Sequence, residues 1–388
     1  MSLRFNQDNS FVVVALQNGF ATFNTEPFSE DTRRLFENGG VGQAELLYRS
    51  NILALVGGGD VPQWSPNKVM LWDDTKARCV GDLGFNHAVR KVIMRRDLVT
   101  VVLDHRVYCY NFSDLQVRHS FKLPRNSNGL CELSLNPGNR VLVFPGEAVG
   151  SLCVNILASD EGKTVASRTI AAHESEITTI ALNTDGSMLA SASERGTLVR
   201  VFDTATGQCL HKLRRGTDRA LIHCICFSAD SSLLACSSDK CTVHVFTDLL
   251  DRSFAEPLQE EEGAATEKGS QQQGQEQQQE QLQQHPDETE GLPLSRFMPS
   301  KLASAVGQAS TTLRANINEY LPSYFTDDAR RSAVRFSVQQ AVPVCAFGST
   351  PNTILVAGLD GSFSQHIFDL ETGNQERLFL GSIFANEK

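Results

Sequence analysis

The stretch Asp185-Gly-Ser-Met-Leu-Ala-Ser-Ala-Ser-Glu-Arg-Gly-Thr197 returns 45 residues later as Asp230-Ser-Ser-Leu-Leu-Ala-Cys-Ser-Ser-Asp-Lys-Cys-Thr242. Each copy then runs into an alternating segment, Leu198-Val-Arg-Val-Phe-Asp203 in the first and Val243-His-Val-Phe246 in the second. Alternation of apolar and polar residues is the period of an extended strand, whose successive side chains take opposite faces. A repeat of this length, punctuated by Asp-Gly and Ser/Asp/Lys turns, is that of a WD40-type propeller blade. Fainter copies lie on either side. Phe11-Val-Val-Val-Ala-Leu-Gln-Asn-Gly-Phe-Ala-Thr-Phe23 reads as a hairpin turning at Asn18-Gly19. Leu53-Ala-Leu-Val-Gly-Gly-Gly59 leads to Val69-Met-Leu-Trp-Asp73, and strand groups recur over 92–110, 130–156 and 354–368. At this spacing the chain forms an all-β, seven-bladed propeller.

The strand pattern stops between Leu249 and about Arg331. Residues 249–290 hold 11 acidic and 2 basic side chains, so this stretch carries −9 of the chain's −10. It also contains the glutamine-rich tract 271–284. Such a composition buries too little apolar surface to offset its ordering entropy, which predicts a largely disordered loop inserted in blade six. The expected division is 1–248 for the first blades, 249–331 for the insertion and 332–388 for the end of blade six and blade seven. Outside the insertion the chain is close to neutral, so the acidic balance is no argument against an anionic ligand. Within the insertion, Leu302, Val306, Ala309, Leu313, Ile317 and Tyr320 fall on one stripe at helical pitch, bracketed by Pro299 and Pro322. A weakly charged helix of this kind suits a membrane surface. It equally suits docking on the propeller or on a protein partner.

The remaining features exclude more than they assign. No 18-residue apolar run is present, so no segment is long enough to span a bilayer as a helix. Met1-Ser-Leu-Arg-Phe-Asn-Gln7 has no apolar signal region, which points to the cytoplasm and leaves the sequon at Asn111 unused. The ten cysteines form no Cys-x-x-Cys pair and read as reduced structural thiols, with Cys224 and Cys226 on one strand face. Gly57-Gly58-Gly59 lacks the Lys-Ser/Thr and helix of a phosphate loop. No catalytic triad, metal-ligand spacing or cofactor motif appears, and no extended basic patch suited to nucleic acid. The expectation is a monomer that is not an enzyme, with no metal and no cofactor.

At the junction of the two clear repeats stands Leu213-Arg-Arg-Gly216. In an extended backbone neighbouring arginines point to opposite sides, so the pair can serve two separate pockets. Each guanidinium offers a fixed fork of donors that matches phosphate oxygens. Taken alone, the same pair suits a solvated turn.

The residues around it resemble a known family. Ala172-His-Glu-Ser-Glu-Ile177, Gly196-Thr-Leu-Val-Arg-Val-Phe-Asp203, Leu213-Arg-Arg-Gly-Thr-Asp218, Phe227-Ser-Ala-Asp-Ser-Ser232 and Ser237-Ser-Asp-Lys-Cys-Thr-Val-His-Val-Phe246 are similar to the PROPPINs. These are the phosphoinositide-binding WD40-type propellers of autophagy. Leucine before the arginines resembles their Leu-Arg-Arg-Gly subgroup. The resemblance implies two headgroup pockets for phosphatidylinositol 3-phosphate or 3,5-bisphosphate. The first would take His173, Ser191, Ser193, Thr197, Arg200 and Arg214. The second would take Arg215, Thr217, Ser237, Ser238, Thr242 and His244. In the inserted helix, Leu302, Val306, Leu313, Ile317 and Tyr320 would enter the membrane. Resemblance further implies recruitment of an autophagy lipid-transfer protein on pre-autophagosomal, endosomal or vacuolar membranes. A protein-interaction scaffold without lipid binding is the rival reading.

Aligning Val201-Phe202 with Val245-Phe246 sets Arg200 opposite His244. The second pocket therefore has one permanent cation fewer, and is expected to be the weaker and more pH-sensitive one. Cys241 stands where the first repeat has Gly196, so a positive φ there would strain the turn beside Thr242.

Overall fold

The computed structural model describes residues 2–37, 39–158, 164–255 and 329–384. They form twenty-nine strands, β1 to β29, in seven sheets. Strands β1–β4 (2–35), β5–β8 (41–84), β9–β12 (91–122) and β13–β16 (132–171) make the first four blades. Blade five is β17 (Ile177–Leu182), β18 (Met188–Ser193), β19 (Leu198–Asp203) and β20 (Cys209–Arg214). Blade six is β21 (Ile222–Phe227), β22 (Leu234–Ser238), β23 (Thr242–Phe246) and, after the insertion, β25 (Val334–Ser337). Blade seven is β26 (Val344–Phe347), β27 (Thr353–Ala357), β28 (Ser362–Phe368) and β29 (Gln375–Ser382). The expected seven-bladed propeller is the fold.

Local chemistry explains the turns. Asp185 Oδ1 accepts the Ser187 N–H at 2.9 Å, and Asp230 Oδ1 accepts the Ser232 N–H at 3.1 Å. These Asx turns open the β17–β18 and β21–β22 hairpins at matching places in the two repeats. The Asp203 carboxylate similarly accepts from Ala205 and Thr206, closing the turn into β20.

The core lies between blades. Val201 and Leu213 of blade five pack with Ile225 and Leu234 of blade six, while Leu189 and Phe202 meet Val141 and Val143 of blade four. Removing each such side chain from water stabilises the fold by about 1.5–3 kcal/mol. Blades one and seven are each built from four consecutive strands, so no strand exchange closes the ring. Side chains close it: Phe28 stacks on Phe363 with centroids 4.3 Å apart, beside Phe23, Leu355 and Ile383.

Residues inside the expected 249–331 boundaries pack on the propeller at both flanks. Leu249 is buried with blades five and six, and a 3-10 turn follows at Arg252–Phe254. On the return side, β24 (Arg330–Arg331) adds to blade five as a fifth strand, parallel to β20.

Candidate functional site

Two polar clusters flank blade five. Ala190 and Ala192 of β18, Val199 and Val201 of β19 and Leu213 of β20 face blade six. Alternation therefore turns Ser191, Ser193, Arg200 and Arg214 toward blade four and Arg215 toward blade six. The two arginines part as the sequence implied.

In the first cluster, His173 Nε2 and Ser191 Oγ are 2.9 Å apart. Ser191 lies opposite Arg200, and Leu198 opposite Arg214, in the β18–β19–β20 register. Arg200 Nη1 donates to the Ala172 carbonyl at 2.5 Å, while its buried Nε has no hydrogen-bond partner. Ser193 is buried one row away, and Thr197 is half-buried at the mouth of the β18–β19 turn. His173, Ser191, Ser193, Arg200 and Arg214 thus share the face toward blade four, while Thr197 lies in the turn just before β19, its carbonyl accepting the Arg215 N–H at 2.9 Å. Gly150 supports them from below: its carbonyl accepts the Ala172 and His173 N–H groups, each at 2.9 Å. A Cβ on Gly150 would sit 1.8 Å from the His173 oxygen, which only glycine avoids.

The second cluster lies between blades five and six. Arg215 is 7% exposed; its Nε donates to the Gly196 carbonyl at 3.0 Å, and it also bonds the Asp218 carbonyl. Ser238 and Thr242 share a hydrogen bond of 3.3 Å. His244 Nδ1 meets Ser332 Oγ at 3.2 Å, and its buried Nε2 has no partner. Thr217 is exposed beside Asp218.

Ser237 does not belong to this cluster. Its neighbours in alternation, Ala235 and Val243, face blade seven, and its Oγ donates to the Pro343 carbonyl at 2.5 Å. The 45-residue repeat already aligns Ser237 with Ala192. The residue matching Ser191 is Cys236, which stands opposite His244 as Ser191 stands opposite Arg200.

The expected shortage of cations in the second cluster is also corrected. Arg335 of β25 lies directly opposite His244 and supplies a second guanidinium. It is 91 residues from His244 in sequence, so the insertion hides the pairing. Nor does His244 titrate near neutrality. Burial, then the charges of Arg335 and Arg215, push it down to about 4. Burial and the Arg200 charge hold His173 at about 4 as well. Both rings are neutral in the free protein at pH 7, so the two clusters do not differ in this respect.

These depressed values tie stability to pH. An unfolded histidine takes up its proton near pH 6.5, well above either folded value, so acid favours the unfolded chain. The contribution is complete above pH 6.5 and is lost as pH falls toward 4. Thermal melts of the ligand-free protein should therefore decline across that window. A His173→Gln/His244→Gln variant should show a shallower decline; an unchanged slope would contradict buried neutral rings.

Among the described residues, no carboxylate pairs with Arg200, Arg215 or Arg335. Neighbouring arginines do have such partners: Arg195 with Glu174 at 3.1 Å, Arg219 with Glu194 at 3.5 Å and Arg330 with Asp248 at 3.1 Å. Guanidiniums without a carboxylate partner, half-buried at Arg200, buried at Arg215 and exposed at Arg335, are suited beside hydroxyls to an anion rich in acceptor oxygens.

Cys241 takes φ +50, the conformation of Gly196 at φ +58, so the anticipated strain beside Thr242 is present. The proposed membrane-entering residues Leu302, Val306, Leu313, Ile317 and Tyr320 lie outside the described residues. Among the described residues there is no group of side chains suited to a metal ion and no helix long and apolar enough to cross a membrane.

A propeller with paired polar clusters on either side of a Leu-Arg-Arg-Gly junction defines a class, and comparison with known proteins agrees. The family description PROPPIN matches residues 2–262. The chain is 30% identical over 378 residues to autophagy-related protein 18e of Arabidopsis thaliana, covering 97% of this chain and 85% of that one. It is 30% identical over 402 residues to autophagy-related protein 18 of Yarrowia lipolytica, covering 96% and 93%. Among solved structures, Kluyveromyces lactis Hsv2p superposes with a TM-score of 0.68 at 20% identity, covering 99% of this chain and 98% of that one. A complex of KlAtg21 with the coiled-coil of AgAtg16 gives a TM-score of 0.67 at 20% identity, covering 98% and 99%. The chain belongs to the PROPPIN family of autophagy β-propellers, which is not an enzyme family.

Proposed function

We propose that the protein is a phosphoinositide effector that docks by the rim around blade five on membranes bearing phosphatidylinositol 3-phosphate or 3,5-bisphosphate. The observation that carries this reading is the pair of clusters whose guanidiniums, half-buried at Arg200 and buried at Arg215, lack carboxylate partners. Arg214 and Arg200 serve one headgroup; Arg215 and Arg335 serve the other. Hydroxyls of Ser191, Ser193 and Thr197 in the first site, and of Ser238, Thr242 and Thr217 in the second, complete the phosphate contacts. The unpartnered His244 Nε2 and Arg200 Nε point to groups awaiting an acceptor. Two weak sites on one rigid ring combine through effective concentration, giving firm but reversible docking. The amphipathic stretch 302–320 adds a third contact by partitioning its apolar stripe into the interface.

Bound in this way, a cytosolic propeller keeps its other blades free to gather autophagy proteins, including a lipid-transfer protein, during autophagosome formation. The solved complex of a like-folded propeller with a coiled-coil supports a protein partner of this kind. Flotation with vesicles of phosphatidylcholine carrying 5% phosphatidylinositol 3-phosphate, its 3,5-bisphosphate, phosphatidylinositol 4-phosphate or no phosphoinositide tests the reading. Recovery with the two 3-phosphorylated lipids, above the others, is expected. Recovery with none of them would leave the protein-only scaffold.

A further inference from the structure

A cluster of three thiols lies on the far side of blade six from the anion sites, and the proposed function makes no use of it. Cys224 and Cys226 are on β21, the inner strand of blade six, and Cys345 is on β26, the inner strand of blade seven. Cys226 Sγ is 3.8 Å from Cys345 Sγ, and Cys224 Sγ donates to the Cys345 carbonyl at 3.3 Å. Cys345 is buried, whereas Cys224 and Cys226 are partly exposed. Three mutually adjacent sulfurs bridging two blades exceed what the packing of small apolar residues requires. Alanine or valine would fill the same space without the chemistry.

We propose that Cys224, Cys226 and Cys345 form a peroxide-responsive thiol site that closes into a disulfide between blades six and seven. Cys224 begins the reaction. On ionising, Cys224 gives up its bond to the Cys345 carbonyl and accepts from the Cys226 and Cys345 thiols instead, which holds it well below the ordinary thiol range, with His223 adding a smaller effect, while the two partners are raised. The thiolate is the nucleophile. It attacks hydrogen peroxide: an S–O bond forms, the O–O bond breaks, and hydroxide leaves to take up a proton as water. The Cys345 sulfur then displaces the second oxygen from the Cys224 sulfenic acid. An S–S bond forms, the S–O bond breaks, and that oxygen leaves as water with the proton of the Cys345 thiol. Two thiols and one peroxide give one disulfide and two waters.

Geometry selects the link between blades. Residues i and i+2 on a strand lie roughly 6.6 Å apart at Cα. That is near the outer limit for a disulfide, which disfavours a Cys224–Cys226 bond. Cys345 approaches from the neighbouring blade, its sulfur 3.8 Å from that of Cys226 and its carbonyl 3.3 Å from the Cys224 sulfur. Exchange between Cys224 and Cys226 as its partner costs little, since both touch it.

The test treats the full-length protein with a small molar excess of hydrogen peroxide, blocks free thiols under denaturing conditions and maps tryptic peptides. Residues 220–240 hold Cys224, Cys226 and Cys236; residues 336–377 hold Cys345; and the exposed Cys241 falls on a separate peptide, 241–252. The expected product joins the first two peptides through Cys345, less two hydrogens, and is released by dithiothreitol. The oxidised protein should melt several degrees higher than the reduced one. Cys345→Ala, which keeps a small apolar side chain, should lose both effects yet still oxidise at Cys241. A variant that fails to fold is replaced by Cys224→Ala/Cys226→Ala, which removes the same link from the other strand. Free Cys345 at a peroxide dose that fully oxidises Cys241, or a Cys224–Cys226 link instead, would overturn the proposal.

Discussion

Vesicles carrying phosphatidylinositol 3-phosphate should retain the wild-type protein and release the Arg214→Thr/Arg215→Thr variant almost completely. Each arginine faces a different cluster, so the double change weakens both sites at once. A hydrogen bond to a charged group contributes about 1.5–3 kcal/mol. Losing one such contact in each pocket costs roughly a factor of 10–100 per site. Because the two sites act on one rigid body, the losses multiply, and binding falls by a factor of about 100–10,000. The folded state should survive. Arg214 lies at the end of β20, and Arg215 contributes hydrogen bonds to two carbonyls, those of Gly196 and Asp218. Melting temperature should drop by a few degrees at most. Flotation equal to wild type would move lipid recognition away from blade five, to the residues around 302–320.

The largest effect on stability is expected at Gly196→Ala. Gly196 has φ +58, which costs an L-residue about 1–2 kcal/mol. Its added Cβ would also lie 1.7 Å from the Ala220 carbonyl oxygen, a backbone atom with no rotamer to yield. Together these should remove about 3 kcal/mol or more and lower the melting temperature by roughly 5–10 °C. The segment pushed aside is the one that carries Arg215 to Ala220, so whatever folds should bind through the first site alone. Cys241→Gly is the control. Cys241 is exposed and takes the same positive-φ conformation with its own side chain already accommodated. Relief of its strain and the added freedom of the unfolded chain offset each other, leaving stability within about 1 kcal/mol. A Gly196→Ala protein that melts like wild type would show that the β18–β19 turn can move without cost.

Most of the ring could be read from the chain because its information is local. The pairing of Ser191 with Arg200, or of Cys236 with His244, spans a two-strand hairpin whose turn and alternation are both visible in sequence. The first cluster shared that advantage: its strands are continuous, and five of the six expected residues share one face, with Thr197 in the adjoining turn. The second did not. Its outermost strand, Val334–Ser337, returns after the insertion, so nothing short-range revealed Arg335. Ser237 was misplaced by one position, and on a strand one position is the opposite face. The histidines show another limit. Residue type places an imidazole near neutrality, but only burial beside Arg200 or Arg335 decides that it stays neutral. The residues around Leu302 remain a matter of helical periodicity alone.

The short pairing of Arg330 and Arg331 with β20 has a mechanical meaning. Arg330 bonds the carbonyls of Thr247 and Asp248 and the Asp248 carboxylate, so the chain leaving β23 and the chain returning to β25 are fastened to each other. A force applied to the chain between 256 and 328 would be borne by this clasp before it reached Arg335 or His244. Length is equally cheap to change beyond such a clasp, since doubling a flexible loop costs only about 0.6 kcal/mol. The 256–328 tether could therefore change in length without moving the two clusters beside blade five. Breaking the clasp at Arg330 would turn that tether into a lever on the second site.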